Sequence, residues 1–492
     1  MQDERSASWK ILLPEAHSRR TLAVGLESGA VLSLARSSER LECAGTREVM
    51  EAVESAMLDT DRVSCVERLE HCRGDYSLIV AAAPLGNEGL ELKRLTHLLA
   101  SNGTIACLDF GGCGKRAAVL RSLGLDSVEQ YAVLPPQSPR LFFSTATGRL
   151  TAKGLGFHAP GSIRARWGLR LAGFAGRIGC RRHLHRLAIT MASRHELKKR
   201  PGSLPSLISE HLAYPIEDLV VYAGSDSPRR KITALAVAPR DRADVVVKIA
   251  DTKLGAEAIR QEADALLALS TSPLAPQVPT LIGERMEWGG YSLRIQSNVG
   301  SAHGNQVPVL TDQHFAFLSA MGRIGRRSLP LSETRVWQDT TSLIHSTGPS
   351  ALPAPLHEAA IRLNSDSLIR RRVVCHRTHG DFAPWNMRTT SGSLFVLDWE
   401  DSRPDGLAFC DLLHFVYRQA AVVGPWPGPE GIWRRMLQSA ERLRAITGDR
   451  RSGIPVAALV WMINEYLHQP SVLLKDALPH LLTRVDQLNA YA

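Results

Sequence analysis

His379-Gly380-Asp381-Phe382-Ala383-Pro384-Trp385-Asn386, followed further on by Leu397-Asp398-Trp399-Glu400, is the stretch on which the reading of this chain turns. It supplies a carboxylate, a carboxamide and a second carboxylate. Asp381 can accept the proton of an attacking hydroxyl. Asn386, five residues on, can turn back from the same loop toward a magnesium ion. Asp398 follows the apolar run Leu394-Phe395-Val396-Leu397, which reads as a short buried strand, so it is expected at a strand end facing a nucleotide. An isolated His-Gly-Asp is only a turn with a polar tip. The fixed Asp-to-Asn spacing, the apolar strand and the second Asp together give the pattern its specificity for phosphoryl transfer.

Upstream, Val245-Val246-Val247-Lys248-Ile249 is a β-branched run carrying one lysine. A strand lysine can bridge phosphate oxygens if a carboxylate holds its flexible stem. Glu262 is the first candidate, within the helix-forming stretch Ala256 to Leu267, and Glu257 is the second. The alternative for Lys248 is a solvated lysine on an edge strand.

These residues together resemble the aminoglycoside phosphotransferase and choline kinase-like family, which shares the protein-kinase fold. The resemblance covers roughly residues 205 to 450. It implies that Asp381 is the catalytic base, that Asn386 and Asp398 hold magnesium, that Lys248 binds ATP phosphates and that Glu262 orients it. It implies that Asp411, in Gly406-Leu407-Ala408-Phe409-Cys410-Asp411-Leu412-Leu413, anchors the catalytic loop. It puts an adenine-cradling hinge near Arg294 to Val299. The nucleotide-covering loop falls near Ala223-Gly224-Ser225-Asp226-Ser227-Pro228, with Gly224 and Ser225 as its contacts. That loop departs from the protein-kinase pattern in having no G-x-G-x-x-G.

The N-terminal third alternates short apolar runs with helical stretches. Thr21 to Gly25, Tyr76 to Val80 and Gly103 to Leu108 read as parallel strands, and Met50 to Met57 and Glu91 to Ala100 as helices between them. Residues 11 to about 155 resemble class I S-adenosylmethionine-dependent methyltransferases. Tyr131 to Pro136 with Pro139 to Phe143 resembles their terminal hairpin. Ala23 stands where that family carries an acid, and Glu27 replaces the middle glycine between Gly25 and Gly29. These departures put S-adenosylmethionine binding in doubt and favour a non-catalytic domain, since fold alone does not establish function. Gly111-Gly112-Cys113-Gly114-Lys115-Arg116 falls short of a phosphate loop, because Asp109 holds the first glycine position and Arg116 the hydroxyl position. A surface turn after a strand is expected there.

At 492 residues, 44% hydrophobic and 22% charged, the chain has material for two or three cores. No apolar run approaches the ~20 residues of a membrane span, and the first residues have no secretory character. The eight cysteines include no C-x-x-C and read as reduced thiols of a cytoplasmic protein, with no structural zinc site expected. The net charge of +10 is local, because residues 161–200 hold eleven Lys and Arg against Glu196 alone. There Trp167, Leu171, Phe174 and Ile178 recur at helical spacing beside Arg166, Arg170, Arg177 and Arg181. Three readings stand open for this segment. It is a solvated helix face, a peripheral contact with an anionic membrane or lipid-linked substrate, or, ranked last, a nucleic-acid contact.

The expectation is therefore an α/β plus α+β chain. A doubly wound methyltransferase-like domain (1–155) is followed by a basic connector (156–204) and a bilobal protein-kinase-like domain (205–492). The expected activity is ATP- and Mg2+-dependent phosphoryl transfer to a hydroxyl of a small molecule or glycoconjugate, in the cytoplasm with any membrane contact peripheral. The alternatives are a catalytically silent binding or scaffold protein and a bifunctional kinase-methyltransferase.

Overall fold

In the computed structural model, the described residues are 4–44, 51, 55, 62–66, 69–82, 88–109, 113–135, 139–157, 188–197, 200–224, 227–298, 307–348, 352–364, 366–390 and 392–490. The chain forms two compact units: Met1–Ile259 with Ile282–Asn298, and Arg260–Leu281 with Val299–Ala492.

The first unit is built on one mixed sheet. Its strands are β1 (Ser18–Val24), β2 (Ser38–Ala44), β3 (Val63–Val66), β4 (Tyr76–Ala82), β5 (Leu99–Asp109), β6 (Ser127–Leu134), β7 (Leu141–Ser144), β8 (Ala188–Ser193), β9 (Asp218–Tyr222), β10 (Ile232–Val237), β11 (Val245–Ala250), β12 (Leu281–Trp288) and β13 (Tyr291–Ser297). Their order is β12-β13-β11-β10-β9-β7-β6-β8-β5-β4-β1-β2-β3. The three strands expected in the N-terminal third are present, and β1, β4 and β5 run parallel.

These central strands read as nearly unbroken apolar runs because both of their faces are covered. Alternate residues serve opposite cores. Ala23, Leu78, Val80 and Ala106 join a core with Val31 and Leu34 of helix Ser28–Arg36. Leu22, Val24, Ile79, Ala81 and Ile105 join another with Leu92 and Leu95 of helix Glu88–Leu98 and Leu120 of helix Cys113–Ser122. The first of these cores continues under β9 to β13 through Val221, Ala234, Val247 and Ile295.

Three expectations differ from what is found. Ala188–Ser193, inside the expected connector 156–204, is a fully buried strand that lies antiparallel between β5 and β6. Residues 131–134 and 141–144 do pair as a hairpin. Its second strand, however, turns away from β5 and pairs with β9 through Leu141↔Tyr222 and Phe142↔Val221. Strands 218–297 thereby share a sheet with strands 18–193, and the chain passes between the two compact units at 259/260, 281/282 and 298/299. Of the turn expected at 111–116, residues 111–112 lie outside the described residues and Cys113 opens a helix, where buried Arg116 donates to the Leu108 carbonyl at 3.2 Å.

Most of the helix expected from Met50 to Met57, and the apolar and arginine rows expected within 161–182, lie outside the described residues. Among the described residues no helix is long and apolar enough to cross a membrane.

The second unit is mainly helical around one large apolar core. It carries a three-stranded sheet of β14 (Arg327–Pro330), β15 (Arg372–Thr378) and β18 (Arg403–Leu407), and a two-stranded hairpin of β16 (Met387–Thr390) and β17 (Ser393–Val396).

The seam strand β7 is buried throughout and packs on helix Gly148–Phe157. A Cβ at Gly154 of that helix would overlap the Phe143 ring. Gly154→Val should therefore destabilise the first unit by about 1–3 kcal/mol, the range for overpacking. The check is a lowered melting temperature of the whole chain, with earlier proteolytic cleavage inside residues 1–259.

Candidate functional site

The geometry of the loop after β15 starts from one glycine. Gly380 has φ +88°, in the region that disfavours a side chain, and a Cβ there would collide with the carbonyl oxygen of Asp401. The tight turn is held from below by Asp411. Its two carboxylate oxygens accept the amides of His379 at 2.7 Å and Gly380 at 3.0 Å. His379 is fully buried, accepts the Asp381 amide on Nδ1 at 3.2 Å and bonds the Leu397 carbonyl through Nε2 at 2.9 Å. That pair of partners sets the tautomer with the proton on Nε2. Trp399, fully buried, tilts against the His379 ring at 4.6 Å and donates to the Val396 carbonyl at 3.1 Å.

The β16–β17 hairpin then brings the polar groups together. Met387 pairs with Val396, and the Leu397 amide donates to the Asn386 carbonyl at 2.8 Å. Asn386 and Leu397 thus face each other at the open end of the hairpin, one residue before Asp398. The Asn386 Nδ2 donates to the Asp381 Oδ2 at 2.9 Å and to the Asp381 carbonyl at 3.0 Å. This spends the amide nitrogen and leaves Oδ1 as the atom a cation would meet. Asp398 has φ +66°, a strained backbone that aspartate tolerates better than most residues. Its charge is close enough to act against ionisation of Asp381.

Asp381 keeps about a third of its side chain exposed, 32%, so a substrate hydroxyl can reach it. Burial alone would raise its pKa. A hydrogen bond from His414 Nε2 to Oδ1 at 2.9 Å, with the charge of His414, outweighs that and holds the carboxyl below the usual carboxylate range. Behind it, His414 Nδ1 lies 3.2 Å from Glu465 Oε2, and Arg418 Nη2 lies 2.9 Å from Glu465 Oε1 as an ion pair not aligned as a hydrogen bond. Sequence reading missed His414, Arg418 and Glu465. The available signal was Glu465 itself, the one acid in the mostly apolar helix Gly453–His468.

The remaining expected site residues fall as follows. Lys248 and Gly224 belong to the first unit. Lys248 is buried, on β11 between β10 and β13, so it is not on an edge strand. Gly224 has φ +72°, and a Cβ there would strike the Lys231 carbonyl oxygen, so the loop needs glycine at that position. Ser225 and Asp226 lie outside the described residues. Glu262, assigned to the second unit, is buried within helix Lys253–Leu269.

Among the described residues no three His, Cys, Asp or Glu side chains converge as a metal cage. The donor set of Asn386 and Asp398 is two hard oxygens, which suits magnesium. That ion prefers one or two protein ligands completed by water and substrate phosphates.

Residues 233–445 match the model of the phosphotransferase enzyme family. The resemblance expected of the C-terminal part is shown by that match. Among solved structures, an amicoumacin kinase is 14% identical with a TM-score of 0.38, covering 57% of this chain and 93% of its own. A choline kinase from Streptococcus pneumoniae is 14% identical with a TM-score of 0.37, covering 58% and 99%. A precorrin 8w decarboxylase from Methanobacterium thermoautotrophicum is 15% identical with a TM-score of 0.24, covering 37% and 86%. Identities and scores this low carry no activity over to this chain. No curated protein matches it.

Removing the Asp411 carboxylate leaves two amides of the turn without their acceptor. Asp411→Ala should cost about 1–3 kcal/mol for each buried donor left unpaired. A drop in melting temperature larger than that of the surface variant Asp312→Ala is the expected result.

Proposed function

We propose that this chain is a phosphotransferase that moves the γ-phosphoryl group of ATP to a hydroxyl of a small molecule or glycoconjugate in the cytoplasm. The observation that carries this reading is the cluster at the open end of the β16–β17 hairpin. There the Asp381 carboxylate and the Asn386 amide are in contact, with Asp398 one residue beyond. The family match over residues 233–445 supports it.

In this reading the acceptor oxygen forms its bond to the γ-phosphorus as the bond to the bridging oxygen of ADP breaks. Asp381 holds the acceptor hydroxyl through its carboxylate and takes its proton. A carboxylate held below the usual pKa range is a weak base. It therefore acts mainly by orienting the hydroxyl and accepts the proton late, as suits a loose transition state. Magnesium, when bound, would neutralise charge on the phosphates. Asn386 and Asp398 would hold it, Lys248 would bind phosphate oxygens with Glu262 orienting it, and the loop at Gly224 and Ser225 would cover the nucleotide. The kinase-like part is read as bilobal, and residues 1–155 as a doubly wound methyltransferase-like domain without catalysis of its own.

Asp381→Asn should lower kcat by about 10²–10⁴-fold, the usual contribution of a positioned base, while ATP affinity stays within a few fold. Asp398→Ala should instead weaken Mg-ATP binding itself. Calorimetry with Mg-ATP and a phosphorylation screen over hydroxyl acceptors measure the two effects. Full turnover by Asp381→Asn on an acceptor used by the wild type would sink the assignment.

The first unit yields its own test. Ala23 is buried on β1, and Glu27 is exposed at the N-cap of helix Ser28–Arg36, where its side chain makes no capping bond. Neither residue can replace the acid and glycine of the cofactor motif. Calorimetry should detect no S-adenosylmethionine binding in the micromolar range. A stoichiometric micromolar isotherm would favour the bifunctional alternative.

A further inference from the structure

The carboxylate of Asp381 does not stand alone. It is one end of a row of alternating charge that runs into the helical core of the second unit: Asp381, His414, Glu465, Arg418. The His414 ring is buried, as is Glu465. Its Nε2 lies 2.9 Å from Asp381 Oδ1 and its Nδ1 lies 3.2 Å from Glu465 Oε2. A neutral imidazole has one donor and one acceptor nitrogen, whereas an ionised carboxylate can only accept. Both ring nitrogens face carboxylate oxygens, so both contacts are satisfied only by the doubly protonated ring. Arg418 supplies the second cation, and the row of two anions and two cations is neutral overall. Neutrality matters at this depth, because an uncompensated buried charge is strongly unfavourable.

We propose that His414 is a positioning residue for Asp381: an imidazolium held between Asp381 and Glu465 that locks the rotation of the Asp381 carboxylate. Oδ1 is tied to the ring, while Oδ2 is turned to Asn386 Nδ2 at 2.9 Å and Trp385 Nε1 at 3.4 Å. That this carboxylate is the catalytic base rests on the phosphotransferase reading. The charge state of the ring does not.

Two further observations agree with the geometry. Burial alone would lower the His414 pKa, but the hydrogen bonds and charges of Asp381 and Glu465 outweigh it and push it up to about 9. The charged groups facing the ring are Asp381 from the loop and Glu465 from helix Gly453–His468. Arg418, on the helix of His414 itself, reaches Glu465. The folded pKa lies above the ordinary value of 6.5. The stabilisation from protonating His414 is therefore complete below about 6.5 and is lost as pH rises through about 9.

The test is histidine-selective ¹⁵N NMR of the full chain, with His414→Gln identifying the ring by difference and a melting curve confirming that the variant folds. The expected result is a ring with protons on both nitrogens at pH 7.5 and a titration midpoint near 9. Glu465→Gln should move that midpoint down, and it assigns the ring by its shift if His414→Gln does not fold. The wild-type melting temperature should fall between pH 7 and 10 by more than that of His414→Gln. A neutral ring at pH 7.5 overturns the proposal whether or not ATP is turned over.

The second readout is turnover in the acceptor assay. Loss of the ring should lower kcat by about 10–100-fold, the loss typical when a group orienting a functional side chain is removed, with KM for ATP unchanged. An unchanged kcat in folded His414→Gln, or in Glu465→Gln where His414→Gln fails to fold, overturns the positioning role. If Asp381→Asn keeps full turnover, the phosphotransferase reading falls, while a doubly protonated ring still stands as measured.

Discussion

The site depends on one carboxylate that does no chemistry. Asp411 accepts two consecutive backbone amides, His379 and Gly380, and so dictates the turn that presents Asp381. The cost of leaving either amide unpaired in a buried place makes the turn nearly obligatory once helix Cys410–Arg418 is packed. That helix is fixed by seven buried residues in its first eight positions, Asp411 to Tyr417. Its N-cap is Phe409, whose φ of +72° lies in the region that disfavours a side chain. The same helix carries His414 one turn further on. A single rigid element therefore shapes the loop backbone with one side chain and holds the reactive carboxylate with another. Its placement governs both.

What was legible in the sequence follows from how local each feature is. Asp381, Asn386 and Asp398 lie within one short stretch, and their spacing is fixed by a turn and a hairpin, so their proximity could be read. The partner strand β16 was harder to see. Its signal was the turn at Gly392, with φ +83°, between two short runs of four residues. His414, Arg418 and Glu465 meet the loop only through helix packing, and no local pattern reports helix packing. A histidine in an apolar helix is ordinarily read as core. Only the lone acid among Ile454 to Ile463 and Tyr466 hinted that something charged must meet it.

The fold was legible strand by strand and less so in its connections. Strands such as Tyr76–Ala82 announce themselves by apolar runs, and Lys248 by a β-branched one. Ala188–Ser193 does neither, since it offers Ala, Thr, Ala and Ser beside Ile and Met, directly after an arginine-rich segment. The pairing of β7 with β9 is set by Leu141 and Phe142 meeting Tyr222 and Val221 across a long stretch of chain. Neither strand is unusual by itself. Only their shared burial shows that two runs of strands form one sheet.

That continuous sheet has a practical meaning for anyone dissecting the molecule. A fragment ending near residue 155 would lack β8, leaving β5 and β6 without the neighbour they share and two rows of backbone groups open to solvent. A fragment beginning near residue 205 would strip β7 from β9 and bare that strand's edge along a core already apolar on both faces. Open edges of this kind invite pairing with other chains. Pieces cut at the joints that sequence composition suggests would therefore be prone to aggregate, and a cut near 259 would itself part β11 from β13, because the chain leaves the first unit at Ile259 and returns to it at Ile282–Asn298.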